Sequence, residues 1–391
     1  VSARPKGLLP TRRMERVRRW PAWVGVFAAA FDNFAMTPLV RAIATDLKVE
    51  LAEATAVATA YYLAYGLMQV PWGMASERLG RVTVMRIGMV AGALGSIASV
   101  FATSLDTLLI ARFITGAGMA GIVPSVIAWI GDVLPEKERP AAAMEMNSVY
   151  AIGSASGVLG AGVMADAVGW HLGFGVAGVL AIVSLLATTQ LFAPPAPTKP
   201  GSVLAAISVT AVRRLAIIGF VEGGVLFGLF AFLAPTLLRA GVSASMTGLL
   251  IAGYGLSVVV WSRIAKRMAG KVSVLRAMSF GGALLVASWA AVSLSPGPFG
   301  VVFAAVAMGA TIVLFHSNLQ VWATLAAPQS RGPAIAFFSG SLFVGASVGS
   351  RLARPVFDAG NVSLLFGVGA AVAAVVAIVS VLARERSLRG S

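Results

Sequence analysis

The 391 residues are 58% hydrophobic and 12% charged, against roughly 45–50% and ~25% in soluble domains, which excludes a soluble globule and makes lipid the solvent for much of the surface. There is no cysteine, which excludes disulfides and thiolate metal or redox sites, and two histidines leave little for a histidine-rich metal site. The formal net charge of +15 invites a nucleic-acid reading, which the placement of the charges rejects.

Residues 1–19 form a basic tail holding Arg4, Lys6, Arg12, Arg13, Arg16, Arg18 and Arg19. Its "TRRMERVRRW", followed by an apolar run and Ala28–Ala30, imitates a secretory signal; eleven further apolar runs predict an uncleaved first helix instead. Crossing the hydrocarbon takes about 20 apolar residues. Twelve such runs follow one another, at about 20–43, 55–75, 82–103, 106–130, 141–165, 171–193, 214–238, 246–265, 273–295, 299–326, 333–356 and 361–383. Short turn or charge signals separate them, such as "DLKVELAE", "SLDT", "LPEKER" and "SPGP". The longer break "APPAPTKPGS", Ala193 to Ser202, carries prolines that cannot continue a helix. The expected organisation is a tail over 1–19, a six-helix bundle over 20–193, a linker over 194–213, a second six-helix bundle over 214–383 and a tail over 384–391.

Of the 30 Lys and Arg, 24 fall on the side of the termini in this alternation, including Arg78, Arg81, Arg86, Lys137, Arg139, Lys199 and Arg263 to Arg276. The opposite loops carry Asp46, Glu50, Glu53, Asp106, Asp166 and Asp358. That asymmetry predicts an inner-membrane protein with both termini in the cytoplasm, and makes the basic charge topological rather than a nucleic-acid footprint.

The chain also repeats itself. At an offset of 189, Tyr65, Gly66, Leu67, Val70, Trp72 and Arg78 meet Tyr254, Gly255, Leu256, Val259, Trp261 and Arg267; at 192, Arg139, Gly153, Gly157, Asp166, Phe174 and Gly175 meet Arg331, Gly345, Gly349, Asp358, Phe366 and Gly367. Six spans, an even number, separate the copies, so the halves are parallel repeats, an architecture with a central site between them.

The loop "GMASERLGRV", Gly73 to Val82, resembles the signature 2–3 loop of the major facilitator superfamily: Gly73, Arg78, Gly80 and Arg81 match, Glu77 replaces the usual Asp and Val82 a basic residue. "RFITGAG" (Arg112 to Gly118) is similar to the fourth-span motif, "LPEKERPAA" to the 4–5 loop, and "GSASGVLGAG" (Gly153 to Gly162) to the fifth-span antiporter motif, with Val158 where Pro is expected. The first span, "FDNFAMTPLVRAIATDL", resembles that of twelve-spanner drug/proton antiporters. The resemblance implies an all-α membrane fold of twelve helices in two parallel-repeat six-helix bundles and a secondary transporter working by alternating access. It also implies a latch in which Glu77, with Gly73, Arg78, Gly80 and Arg81, meets the start of span 11, where Pro333 stands in the first turn. Arg139 and Arg331 would buttress these loops. The repeat copy "KRMAGKV" places Lys266 at the position of Glu77, so the latch is expected on one side only.

Within the spans the ionisable residues are the candidates. Asp32 stands near the midplane, where a charge costs ~2.5–3.5 kcal/mol on insertion scales, and reads as a proton or cation coupler or as a structural hydrogen bond helped by Asn33. In a resembling antiporter the corresponding Arg takes part in proton transfer; here Arg112 either pairs with Asp32 in that role, or holds a structural ion pair, or snorkels outward, and Glu222 is a second coupling candidate. Asn33, Glu145, Asn147 and Tyr150, with His316, Asn318 and Gln320, are candidate substrate contacts; for Glu145, Asn147 and Tyr150 the alternative is solvated residues at the cytoplasmic mouth, and for the last three it is interhelical glue. Arg351 and Arg354 read as an outer anion-attracting gate, or as snorkelling side chains with Arg354 paired to Asp358.

No phosphate-binding loop and no long extramembrane domain is present, so an enzyme, an ATP-driven pump and a cofactor are not expected. The expected function is proton-coupled export of a small lipophilic or drug-like solute by a monomer in contact with lipid. A proton symporter or uniporter for uptake of a small organic anion is the alternative, and a non-transporting sensor or scaffold the alternative of another class.

Overall fold

The computed structural model describes residues 18–135, 138–195, 203–268, 271–327 and 330–389. The apolar runs become helices that start and stop where local chemistry dictates. Ser104 and Thr107 close a capping box at the head of one helix, Ser273 caps another, and Pro298 occupies a first turn where its missing N–H costs nothing. Gly80 and Gly169, at φ 89° and 98°, make the two tightest turns in backbone conformations that side chains rarely adopt.

Twelve long helices result among the described residues, and no strand. They are α1 (Trp20–Asp46), α2 (Ala56–Leu79), α3 (Arg81–Val100), α4 (Leu105–Val133), α5 (Arg139–Ala167), α6 (Trp170–Ala187), α7 (Thr210–Arg239), α8 (Ala244–Met268), α9 (Val274–Leu294), α10 (Pro298–Ala326), α11 (Arg331–Asp358) and α12 (Val362–Arg389). Eleven are long and apolar enough to cross a membrane by length and composition. The twelfth, α2, spends its apolar share on Tyr61, Tyr62, Tyr65, Gln69 and Ser76, all buried against protein rather than turned to lipid. Exposed Leu94, Ile110, Val179, Leu256 and Val375 cover the outside, as hydrocarbon solvent requires.

α4 is two segments, Leu105–Met119 and Ile122–Val133. Pro124 has no N–H for the Ala120 carbonyl, which Gln69 Nε2 of α2 approaches at 3.5 Å instead. The expected linker contains a short helix, Val203–Ser208, whose Ala206 packs on Val212, Ala327 and Ala334 under the start of α11. The basic tail to residue 17, Lys137 and Lys199 lie outside the described residues, as does the side chain of Arg331.

α1–α6 and α7–α12 pack mainly among themselves, and the two groups meet along α2/α11 and α5/α8. Glycines set these approaches. A Cβ on Gly153 or Gly157 of α5 would stand 2.7 or 2.4 Å from the Phe27 or Phe31 carbonyl of α1. One on their repeat mates Gly345 and Gly349 of α11 would stand 1.8 and 2.6 Å from Phe220 and Gly224 of α7. Between the groups, Gly66 of α2 lies on Gly340 and Val344 of α11, and its mate Gly255 of α8 on Ala151 and Ala155 of α5. Backbone contact without intervening side chains is what holds helices together where lipid removes the hydrophobic drive.

Candidate functional site

Among the described residues two buried acid–base pairs occupy the interior, one in each group of six helices. In the first, Arg112 of α4 donates through Nη2 to both oxygens of Asp32 of α1, at 2.9 and 2.8 Å, with both side chains fully buried. The guanidinium carbon lies 4.6 Å from the Phe174 ring and 5.1 Å from that of Tyr61. Its Nε and Nη1 meet no hydrogen-bond acceptor among the described residues. Cation–π contact and a desolvated carboxylate offset part of the cost of holding an arginine away from water.

In the second, His316 Nδ1 of α10 stands 3.0 Å from Glu222 Oε1 of α7, with Glu222 fully buried and the imidazole stacked on Phe338. Glu222 Oε2 meets no donor among the described residues. This pair is built on altered backbone. Gly224–Gly228, just beyond Glu222, and Ile312–His316, which ends on the histidine, are π-helical. Such single-turn insertions rotate the helix beyond them and recur at functional sites. The π turn of α7 lies against α11, where Gly223 and Gly228 approach the Leu342 and Ala346 carbonyls.

The pairs come from corresponding helices of the two halves but are staggered in depth. Helices one and seven meet where Phe34 contacts Phe230 and Arg41 contacts the Leu238 carbonyl, so Asp32 is level with about Gly228, and Glu222 lies six residues, ~9 Å, nearer the face of the termini. Their partners come from helices four and ten, whose 29-residue spans are of equal length, but His316 lies eleven residues further along its span than Arg112. At 1.5 Å per residue that is a ~16 Å difference in depth. Arg112 therefore reaches in from the face opposite the termini, here the distal face, and His316 from the terminal face.

Aromatic rings line the seam between the two groups. Phe34 of α1 meets Tyr150 of α5, Phe230 of α7 and Tyr254 of α8 at ring-centroid distances of 6.3, 5.9 and 5.4 Å. On the other side Tyr65 of α2 lies 4.3 Å from Phe343 of α11. Asn33 Nδ2 donates to the Tyr150 hydroxyl at 3.3 Å, which joins two of the expected substrate contacts.

Other expectations are redistributed. Glu145 is exposed and faces Arg19 at 3.6 Å, and Asn147 is exposed, so neither joins Asn33 and Tyr150. Asn318 donates to the Leu314 carbonyl one turn back along its own helix, and Gln320 is half-buried with no tie to His316. Arg354 is held between Glu53 (3.2 Å) and Asp358 (3.5 Å), so two carboxylates offset its charge; Arg351 is exposed. At the terminal face Glu77 Oε1 stands 3.0 Å from where a Cβ of Gly332 would be, at the start of α11. Arg81 ties its loop to Asp132 and Ser76, Arg139 caps α4 through the Leu134 carbonyl, and Arg78 and Lys266 are exposed. Gly73 packs on Ala336 of α11. The link between His316 and Glu222 escaped the sequence reading, because 94 residues separate them and no periodicity relates α7 to α10.

Comparison with known proteins follows the same outline. The family model described as Major Facilitator Superfamily matches residues 22–240. An MFS-type transporter of Bacillus subtilis (strain 168), YceJ, is 25% identical over 355 residues, covering 86% of this chain and 88% of its own. YybF of the same organism is 28% identical over 162 residues, 40% of each chain. The 4-hydroxybenzoate transporter PcaK of Pseudomonas putida is 27% identical over 161 residues, 41% of this chain and 36% of its own. The chain thus spans well under half the length of YybF and PcaK in these matches. The crystal structure of the POT family transporter PepTSo superposes with a TM-score of 0.75 at 16% identity, covering 96% of this chain and 99% of that one.

Proposed function

As the chain belongs to the Major Facilitator Superfamily and is a secondary transporter, we propose that it exports a small, lipophilic organic solute in exchange for protons. The observation that carries this reading is the presence of two buried acid–base pairs at staggered depths, one in each half. A carboxylate held by a buried base is stable while paired, and protonation releases the base. Opening the site toward one face exposes one pair to water ahead of the other, so proton exchange follows the direction of rocking. The aromatic seam accepts an apolar or planar solute, while Asn33 and Tyr150 provide polar contacts. Glu77 against the start of α11 serves as a latch at the terminal face, where a carboxylate meets the positive end of a helix dipole. The lysine and arginine asymmetry supports placement in the cytoplasmic membrane with both termini inside, and the two halves of one chain suffice for a monomer.

Proteoliposomes test the reading. Solute flux should move protons in the opposite sense, and Asp32→Asn should remove the coupling, leaving at most downhill exchange. Coupled transport that survives Asp32→Asn unchanged would overturn it. A second reading, proton-driven uptake of a small organic anion, draws on Arg112 Nε and Nη1, which meet no acceptor beside the Tyr61 and Phe174 rings. It is compatible with a relative that carries 4-hydroxybenzoate. Protons and solute moving in the same sense would select it.

A further inference from the structure

The distal face is closed by contacts of a different kind from those at the terminal face. Asp166, the next-to-last residue of α5, accepts from the backbone N–H of Ala244 through Oδ1 (3.2 Å) and of Ser245 through Oδ2 (2.6 Å). These are the first two amides of α8, in the other half of the molecule. The third, of Met246, is taken by Ser243 Oγ of the same segment at 3.2 Å. A helix leaves its first amides without internal partners. In α8 they are satisfied partly by a residue of the opposite half, so separating the halves at this face strips a helix of its cap.

The repeat supplies the counterpart. Asp358, the mate of Asp166 at an offset of 192, ends α11 and engages Arg354, which reaches Glu53 of the short helix Leu51–Ala54 leading into α2. One contact thus joins α5 to the head of α8, and the other joins α11 to the head of α2. The chemistry differs, amides in one case and a guanidinium in the other. Arg41 of α1 adds a third bond across the halves, to the Leu238 carbonyl near the end of α7 at 3.1 Å. A cleft of about 500 Å³ lined by Arg41, Asp46, Asp166, His171 and Ser243 opens beside two of these three contacts.

We infer that Asp166 is a gating residue, whose carboxylate holds the distal side shut by capping α8 across the interface and is released when that side opens. The inference rests on the alternating-access reading. Asp166 and Glu77 then oppose one another: each carboxylate meets the start of a helix in the other half, at opposite faces. Loss of one tilts the balance toward opening of its own face. The effect is a population shift, because the two conformations differ in whether the cap is made.

Spin-label distances read this directly, and the absence of native cysteine makes paired labels simple to place. One pair at the exposed positions Val168 and Met246 reports the distal face; another at Leu79 and Leu325 reports the terminal face. Asp166→Ala should raise the ratio of distal-open to closed molecules about fivefold, the ratio expected for losing one helix cap. Ser245→Pro, which removes both the amide and the hydroxyl that Ser245 offers Asp166 in a turn where proline is tolerated, should shift it in the same direction. Glu77→Gln should open the terminal pair instead. The inference fails if Asp166→Ala leaves the Val168–Met246 distribution unchanged, or if Ser245→Pro does so while Asp166→Ala does not. These distances need no identified solute. Failure to find any proton-coupled flux would sink the functional proposal and leave the gate test standing.

Discussion

The interior charges show how one substitution can act on stability and function by different routes. Arg112→Ala would leave Asp32 buried and uncompensated, and breaking such a pair costs ~3–5 kcal/mol when the remaining charge cannot reach water. Asp32→Asn keeps the shape of the site and an acceptor for Arg112, while its charge and exchangeable proton are lost. The expected outcome is that Arg112→Ala lowers the thermal unfolding midpoint in detergent more than Asp32→Asn does. The double variant Asp32→Asn/Arg112→Ala should recover part of that loss. At the second pair, His316→Gln retains a hydrogen bond to Glu222 and removes the imidazole. It should leave the unfolding midpoint nearly unchanged and alter the dependence of transport on external pH, measured as initial flux across a pH series. An unchanged pH profile would assign His316 to packing alone.

At the scale of the helix, small residues decide which backbones touch. A Cβ on Gly345 would stand 1.8 Å from the Phe220 carbonyl oxygen, and backbone cannot give way as a flexible side chain can. Gly345→Ala should therefore push α11 off α7 and cost ~1–3 kcal/mol, the usual penalty of overpacking. Gly160, in the same glycine-rich motif as Gly153 and Gly157, has its nearest neighbour, Met164, at 3.6 Å. Gly160→Ala should be tolerated. Thermal unfolding of the two variants side by side separates the packing role from a general preference for alanine in helices. The π turns belong to this scale too. One follows Glu222 directly and the other ends on His316, and nothing in a helical periodicity announces them.

For the whole molecule, contacts at both faces join the halves in this structure. Glu77 lies at Gly332 on one face, and Asp166 meets Ser245 while Arg354 meets Glu53 on the other. Glu77→Gln should therefore change the rate of conformational exchange without unfolding the protein. The expected readout is altered solute flux with a circular-dichroism spectrum that stays native. Reporter fusions at the two ends offer a separate check. The charge asymmetry predicts that both report a cytoplasmic location, and opposite locations would refute the even number of crossings.

Composition and hydropathy, read along the chain, determined a lipid-solvated bundle of twelve helices, because burial of the backbone in hydrocarbon permits few alternatives. The repeat determined that the halves are alike, and the loop around Glu77 determined the family. Asp32 and Arg112 were readable as candidates because any charge in a span needs a partner. Their pairing with one another was readable too; tertiary structure decided the other partners. It joined Glu222 to His316 across 94 residues, sent Glu145 to Arg19, and added Glu53 to the expected pair of Arg354 and Asp358. It also brought Asp166, in the sequence one more acid on the distal side, to the head of α8. The physical reason is common to all four. A one-dimensional pattern records the depth of a side chain and the face of its own helix, whereas pairing depends on which helix stands opposite and on local changes of helical phase.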